Sequence, residues 1–566
     1  MTIMKESFAV YCENTGRMHE CKPGTTLLEL MHELAPQMRY PVVAALVDNQ
    51  LKELGYALYN ACALRFLDMG HPDGRRTYCR TLSFVLQKAV ADLFPHLQLV
   101  MEYNLPNGTY GEVRRDAQSL EPYVFTQDEF AALEARMREI IAEDVVIRKT
   151  KVPAQQAADL FCKQGKPQKA NLVKNLDRHF VSMYYIGDYA DTFYGPLLYS
   201  TGALYYFELI PFSTGFCLQS PNYATPDKRV QEIYQDKLSD AFAESAEWYS
   251  ILGADSIAQV NEIIRRGRAK ELIQMMETLH ERKYASIANQ ICAERDRIKL
   301  VLISGPSSSG KTTTSKRIAL QCRVLGLNPV VVAMDDYFVD REQTPLDENG
   351  EYDFESLYAL DLPFLNQQLN QLFAGEEVEI PTFDFKQGRR TFQGHRIRMQ
   401  EGDVLIMEGI HALNPNLLQE VEQDRIFRVY ASALTPLSMD ENNLISTSDN
   451  RMLRRMVRDN ATRGVVPADT ILRWPSVRRG EEKNIFPFQE NADVFFNSSS
   501  VFELPLLRYY AEPLLMRIPP SSPAYAESVR LLKFLSMILP LTPQEIAYIP
   551  PTSILREFIG GSSFDY

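Results

Sequence analysis

Long hydrophobic runs are missing from this 566-residue chain. No apolar stretch reaches the roughly 18–20 residues that a membrane-spanning helix needs. The first seven residues, Met1 to Ser7, carry no apolar signal core. Paired cysteines are missing too. The eight cysteines, at positions 12, 21, 62, 79, 162, 217, 292 and 322, are scattered, with no C-x-x-C pair. This argues against a disulfide framework or a structural zinc site, and leads us to expect reduced thiols, a cytoplasmic protein and no membrane contact. Excess positive charge is also absent. A net charge of −13 excludes binding to nucleic acid through bulk electrostatics, while local basic patches stay open. No internal repeat or low-complexity segment stands out. What is present, 45% hydrophobic and 23% charged residues, is ordinary for a globular protein. The length suggests roughly three to five domains.

The pattern of short elements divides the chain. Residues 1–68 read as a small α+β unit of β-grasp type. Its elements are a β-prone run at Phe8–Cys12, a helix from Thr25 to Leu34 behind a Gly-Thr-Thr cap, and a buried strand Val42–Val47. His71-Pro72-Asp73-Gly74 reads as a turn and a boundary. Residues 69–222 mix long helices, Thr81–Phe94 and Gln127–Glu143, with strands such as Leu204–Ile210. Residues 223–297 read as a charged, helical connector packed between two halves. From 298 to 500, strands at 300–304, 329–334, 403–407, 426–431 and 493–496 alternate with helices, which predicts a doubly wound parallel α/β sheet with ligands at the strand C-termini. Residues 501–566 read as a helical, then Pro-rich, extension. The fold class is thus multidomain, α+β followed by α/β.

One motif carries the chemistry. Gly305-Pro306-Ser307-Ser308-Ser309-Gly310-Lys311-Thr312 fits G-x-x-x-x-G-K-[ST] at every fixed position. It follows the apolar strand Leu300–Ile303 and opens a helix at Thr313, the context that makes the pattern a P-loop. Glycines let the backbone wrap an anion, and successive N–H groups together with the helix N-terminus favour phosphate. Lys311 then reaches the β- and γ-phosphates and Thr312 a Mg²⁺ ion. Two acids follow at strand ends. Asp335 and Asp336 close the strand at 329–334, where a carboxylate can take the proton of an acceptor hydroxyl. Glu408 closes the apolar run Asp403–Met407, in the form of a Walker B strand, and suits Mg²⁺ or its water shell. Arg451, Arg454, Arg455 and Arg458, at i, i+3, i+4 and i+7, place four guanidiniums on one helical face, with Arg463 just beyond. Such a face could shield a transferring phosphoryl group.

The P-loop, Met334-Asp335-Asp336-Tyr337-Phe338, Tyr352-Asp353-Phe354-Glu355, Ile380-Pro381-Thr382-Phe383-Asp384-Phe385, Met407-Glu408-Gly409-Ile410 and Arg454-Arg455-Met456-Val457-Arg458-Asp459 occur in the order seen in the uridine kinase / phosphoribulokinase family, which this half resembles. The resemblance implies an ATP- and Mg²⁺-dependent kinase. Asp335 would be the base, Lys311 would lie on the phosphates, and Thr312 and Glu408 on the metal. Gly305, Ser307 to Gly310, and Thr313 would belong to the nucleotide cradle. Arg455, Arg458 and Arg463 would surround the phosphates. Tyr337, Phe354, Glu355, Phe383 and Arg455 would meet the acceptor. The sequence departs from the pattern at Phe383 and Gly388, where uridine kinases place groups that read the pyrimidine, at Glu355 in place of an aspartate, and at Val465 in place of an arginine.

The first 68 residues resemble the TGS domain of threonyl-tRNA synthetase, and residues 76–222 its editing-type domain. The imidazoles and thiolate of that domain are replaced here by Arg80, Phe84, Phe193 and Leu197, so no editing activity is expected. The whole arrangement looks like a bacterial group of fused nucleoside kinases. Three readings follow: a kinase acting on a nucleoside 5′-hydroxyl; the same chemistry on a sugar phosphate, with Lys386, Arg389 and Arg390 as an extra anion site; or a nucleotide-switched regulatory protein whose N-terminal half binds RNA or a signalling nucleotide. A homo-oligomer is compatible with each.

Overall fold

A computed structural model describes residues 7–105, 108–115, 121–175, 178–221, 235–346, 350–384 and 387–565. The N-terminal unit is a five-stranded sheet in the order Arg17–Cys21, Phe8–Cys12, Cys62–Asp68, Val42–Val47, Gln50–Lys52. Its helix, Leu27–Leu34, starts at Thr26 in a reciprocal capping box with Glu29.

His71 to Gly74 do not form a turn. His71 caps the long helix Pro72–Leu93, and Pro72 takes its first position, where a missing N–H costs nothing. Gly74 is needed there because a Cβ would run into the carbonyl of Asp68. This helix packs beside a four-stranded antiparallel sheet, Glu208–Phe212, Gly215–Gln219, Gly108–Arg114 and Gln98–Leu105, and a three-stranded one, Tyr189–Asp191, Phe180–Ile186 and Arg148–Pro153. The strand expected at Leu204–Ile210 begins only at Glu208, because Thr201–Ala203 form a short 3₁₀ turn first. Phe84, Phe193 and Leu197 are buried together, with the Phe84 and Phe193 rings 5.1 Å apart. They pack as core where the editing-type pattern places ligands.

In the C-terminal half, five parallel strands lie in the order Asn328–Ala333, Asp403–Glu408, Leu300–Ser304, Ile426–Ser432, Val494–Asn497. The central strand reads as an unbroken apolar run because both sheet faces are covered. Leu300 and Leu302 face a core with Leu365 and Leu369 of the helix Leu362–Phe373. Val301 and Ile303 face the opposite core. That second core also takes in Ile257, Ile273 and Ile287 of the connector helices and Leu507, Ile538 and Ile554 of the C-terminal segment. The helices Ile257–Arg265 and Ala269–Ala293 and the tail therefore pack as part of the parallel-sheet unit. The first part of the expected connector, residues 223–234, lies outside the described residues. A hairpin absent from the sequence reading, Glu377–Asp384 with Arg389–Arg398, projects from this unit.

The strand order reverses at Leu300–Ser304, whose neighbours lead off in opposite directions. That opens a crevice at the carboxyl ends of the strands, where the P-loop sits.

Candidate functional site

The site is built on strand ends. Leu300–Ser304 leads into the loop, and Lys311–Val324 leads out as a helix. Gly310 has φ +83° and Ser308 φ +59°, the left-handed turns that fold the loop back on itself. Gly305 passes so close to the Ala431 carbonyl that any Cβ would collide with it. The register pairs Glu408 with both Ile303 and Ala333, so the loop, Glu408 and the Met334–Tyr337 turn that carries Asp335 come together at one edge.

They line a cleft of about 470 Å³. On its walls are Ser307 to Thr312, Asp335, Phe354, Glu355, Phe383, Glu408, Arg455, Arg458 and Arg463. The Lys311 ammonium donates to the Gly305 and Pro306 carbonyls at 3.0 and 3.2 Å. The Thr312 hydroxyl donates to Glu408 at 2.8 Å, which sets an alcohol and a carboxylate side by side, a hard-oxygen pair of the kind Mg²⁺ takes.

The carboxylates are electrostatically poised. Asp335 opens onto the cleft, yet protein crowds its carboxyl group on the other sides. This desolvation, with the charges of Glu408, Asp336 and Glu355, pushes its pKa up to about 7 against the opposing pull of Lys311. Glu355 is likewise pushed up to about 7, by burial and then by Glu481. Burial raises Glu408 as well, with Lys311 and Thr312 opposing. Glu355 reaches its position because Gly480 has no side chain: a Cβ there would press on the Glu355 stem at 2.8 Å.

The arginine helix, Thr447–Arg463, splits its charges. Arg451 and Arg454 do not line the cleft. Arg451 is buried on Glu481, with Nη2 2.8 Å from Oε2, and Arg454 on Glu503, with Nη2 2.7 Å from Oε2. Both brace the loop from behind through the carbonyls of Ser307 and Ser308. Arg455, Arg458 and Arg463 reach the cleft. Buried Asp459 gathers all three within 3.4 Å, and Arg455 also donates to the Ser307 hydroxyl at 3.0 Å.

Tyr337 is not in the cleft. It is buried, and its hydroxyl donates to Gln368 at 2.9 Å. The strand-to-turn geometry that points Asp335 outward sends Tyr337, two residues on, into the core. Arg390 turns to Asp361 at 2.8 Å, and neither it nor Arg389 lines the cleft. Lys386 and Phe385 lie outside the described residues. Sequence reasoning missed Phe338, Val339, Arg341, Thr344, Ile410 and Glu557 on the walls. Phe338 sits in a quoted motif and stacks edge-on to Phe383 at 5.6 Å, so its apolar neighbours signalled it. Glu557 has no local signal at all. Thr313 donates to it from backbone N and hydroxyl, at 3.3 and 2.6 Å.

Residues 300–504 match the model of the "Phosphoribulokinase / Uridine kinase family". Curated relatives include the threonine–tRNA ligase of Acetivibrio thermocellus, 27% identical over 220 residues that cover 39% of this chain and 33% of that protein. The ligase of Clostridium kluyveri is 26% identical over the same shares. The chain thus spans about a third of the length of these relatives. Among solved structures, a "possible uridine kinase" from Bacillus stearothermophilus is 18% identical, covering 37% of this chain and 97% of that one at a TM-score of 0.25. A D-glycerate 3-kinase from Cryptococcus neoformans is 14% identical, covering 45% and 87% at 0.21. Among the described residues, no helix is long and apolar enough to cross a membrane. The chain therefore joins an N-terminal half that matches the N-terminal TGS and editing region of threonyl-tRNA synthetases to a C-terminal part, residues 300–504, that matches the uridine kinase / phosphoribulokinase family model.

Proposed function

We propose that this protein is an ATP- and Mg²⁺-dependent kinase that transfers the γ-phosphoryl group to the 5′-hydroxyl of a nucleoside, with a uridine- or cytidine-like acceptor. One observation carries the reading: Lys311, Asp335, Glu408 and three arginines share a cleft with the aromatic wall of Phe338, Phe354 and Phe383. The aromatic faces suit a stacked base. Arg341, Thr344 and Glu355 line the same cleft and are the polar groups that would discriminate among bases by hydrogen bonding.

Asp335 accepts the hydroxyl proton as the acceptor oxygen bonds to the γ-phosphorus and the bond to the bridging oxygen of ADP breaks. Lys311 and the loop N–H groups hold the donor phosphates. Arg455, Arg458 and Arg463, aligned by Asp459, spread over the equatorial oxygens and exclude water. Thr312 and Glu408 would hold Mg²⁺, which would supply positive charge against the donor phosphates. The N-terminal half supports the arrangement as a clamp. Lys169 pairs with Asp440 at 3.3 Å, Tyr194 donates to Asp440 at 2.8 Å and the Gln168 backbone N–H donates to Glu441 at 2.7 Å, all just before the arginine helix. We assign that half to assembly and regulation rather than editing.

The test is phosphate transfer from ATP-Mg²⁺ to a panel of nucleosides and sugar phosphates, with Asp335→Asn as control. Product from a nucleoside, lost in the variant, is expected. Product from a sugar phosphate alone moves the substrate class, and ATP binding without transfer to any acceptor overturns the kinase reading.

A further inference from the structure

The C-terminal segment reaches into the P-loop. Ile554, Leu555 and Phe558 are buried. Arg317 donates to the Thr552 carbonyl at 2.6 Å, and Ser553 to Glu277 at 2.6 Å. The Phe558 ring lies 4.9 Å from the Arg454 guanidinium carbon. Ile554 fills the space beside Gly310 that a Cβ would need. These contacts hold the single turn Arg556–Ile559 against the loop, and Glu557 is its half-buried acid.

Its carboxylate has found a specific pair of donors. Thr313 is the third residue of the helix Lys311–Val324, and its N–H is one of the donors a helix start leaves without an internal partner. Thr312 turns its hydroxyl to Glu408, on the side where transfer occurs. Thr313, about 100° further round the helix, turns to Glu557. In a P-loop the outer phosphates lie at the lysine and the metal, so a donor at this N-terminus directed away from them faces an inner phosphate. A carboxylate and a phosphate cannot share these two protons, and their charges repel.

We propose that Glu557 is a determinant of donor binding: its carboxylate holds the Thr313 N–H and hydroxyl that the inner phosphate of a nucleoside triphosphate takes, and the donor binds by displacing it. The inference rests on the P-loop taking a nucleotide donor, as in the reading above. Pyrophosphate, which has no inner phosphate to place, needs no such displacement.

The test is calorimetric titration of the full chain and of Glu557→Gln with ATP and, separately, with pyrophosphate, both with Mg²⁺ and without acceptor. Glutamine keeps the shape and an accepting oxygen, so the fold is retained, and a melting curve checks this. ATP is expected to bind the variant about tenfold tighter, the effect of one charge-assisted contact. Pyrophosphate is expected to change by less than about threefold. An equal change for both ligands marks a general charge effect, and weaker ATP binding marks a group that helps the donor; either overturns the proposal. Hydrogen exchange over residues 553–561 is a second measure. It should speed up when ATP binds the unmodified chain, and unchanged exchange overturns the displacement. Tighter ATP binding by the variant with no transfer to any acceptor sinks the kinase reading alone. Intact transfer with equal ATP binding sinks this inference alone. ATP that binds neither protein sinks both.

Discussion

The elevated pKa of Asp335 makes the acid side of the pH profile a direct test of its role. A general base works in its ionised form. With a pKa of about 7, that form is lost as pH falls through neutrality, so activity must drop on the acid side. If Asp335 alone must be ionised, kcat/KM rises roughly tenfold between about pH 6 and pH 8 and then levels off. Glu355, also pushed to about 7, faces the same cleft. If its charge is required too, the rise is roughly a hundredfold, since the two ionised fractions multiply. Glu355→Gln separates the cases. It removes one of the charges that raise Asp335, so the limb should move to lower pH in both cases, and it becomes shallower only where the Glu355 charge is required. Asp335→Asn should cost on the order of 10²–10⁴-fold at every pH. The assay is initial-rate phosphate transfer at subsaturating acceptor in a constant-ionic-strength buffer series. A profile flat between about pH 5.5 and 8, or an Asp335→Asn protein with the unmodified rate, would refute the assignment.

Further outcomes follow from the packing. Arg454→Met leaves Glu503 buried without its partner and should destabilise the chain by about 3–5 kcal/mol in denaturant unfolding; a near-neutral change would return Arg454 to the phosphate face. Tyr337→Phe removes one buried hydrogen bond, to Gln368, and should cost about 1 kcal/mol of stability while leaving the acceptor KM unchanged; a raised KM with normal stability would place the hydroxyl on substrate. Asp459→Asn frees Arg455, Arg458 and Arg463 from their common anchor and should lower kcat more than it raises the KM for ATP, which steady-state kinetics will separate.

Much of this protein was legible because its signals are local. The P-loop is eight consecutive residues between an apolar run and a helix, and the acids Asp335 and Glu408 sit where two further apolar strands stop. Each of these depends on neighbours a few residues away, so strand, turn and helix could be read together. The expected parallel strands all formed within a few residues of their predicted bounds for the same reason. Local reading was weaker where one pattern serves two ends. Pro-Asp-Gly after His71 suits a turn as well as a helix start, and the choice fell to the packing of Gly74 on Asp68.

Depth and distance were settled only by tertiary structure. Helical spacing gives direction around an axis, and Arg451, Arg454, Arg455 and Arg458 share one face by that measure. Which of them is buried depends on Glu481 and Glu503, supplied by other helices, which draw Arg451 and Arg454 inward and leave the cleft to Arg455 and Arg458. Tyr337 belongs to the same motif as Asp335, which lines the cleft, yet its ring is claimed by the core. Glu557 stands some 250 residues beyond the P-loop, in a stretch with no motif of its own. It meets Thr313 because burial of Ile554, Leu555 and Phe558 folds the tail over the loop, a consequence of packing that no short window of sequence contains.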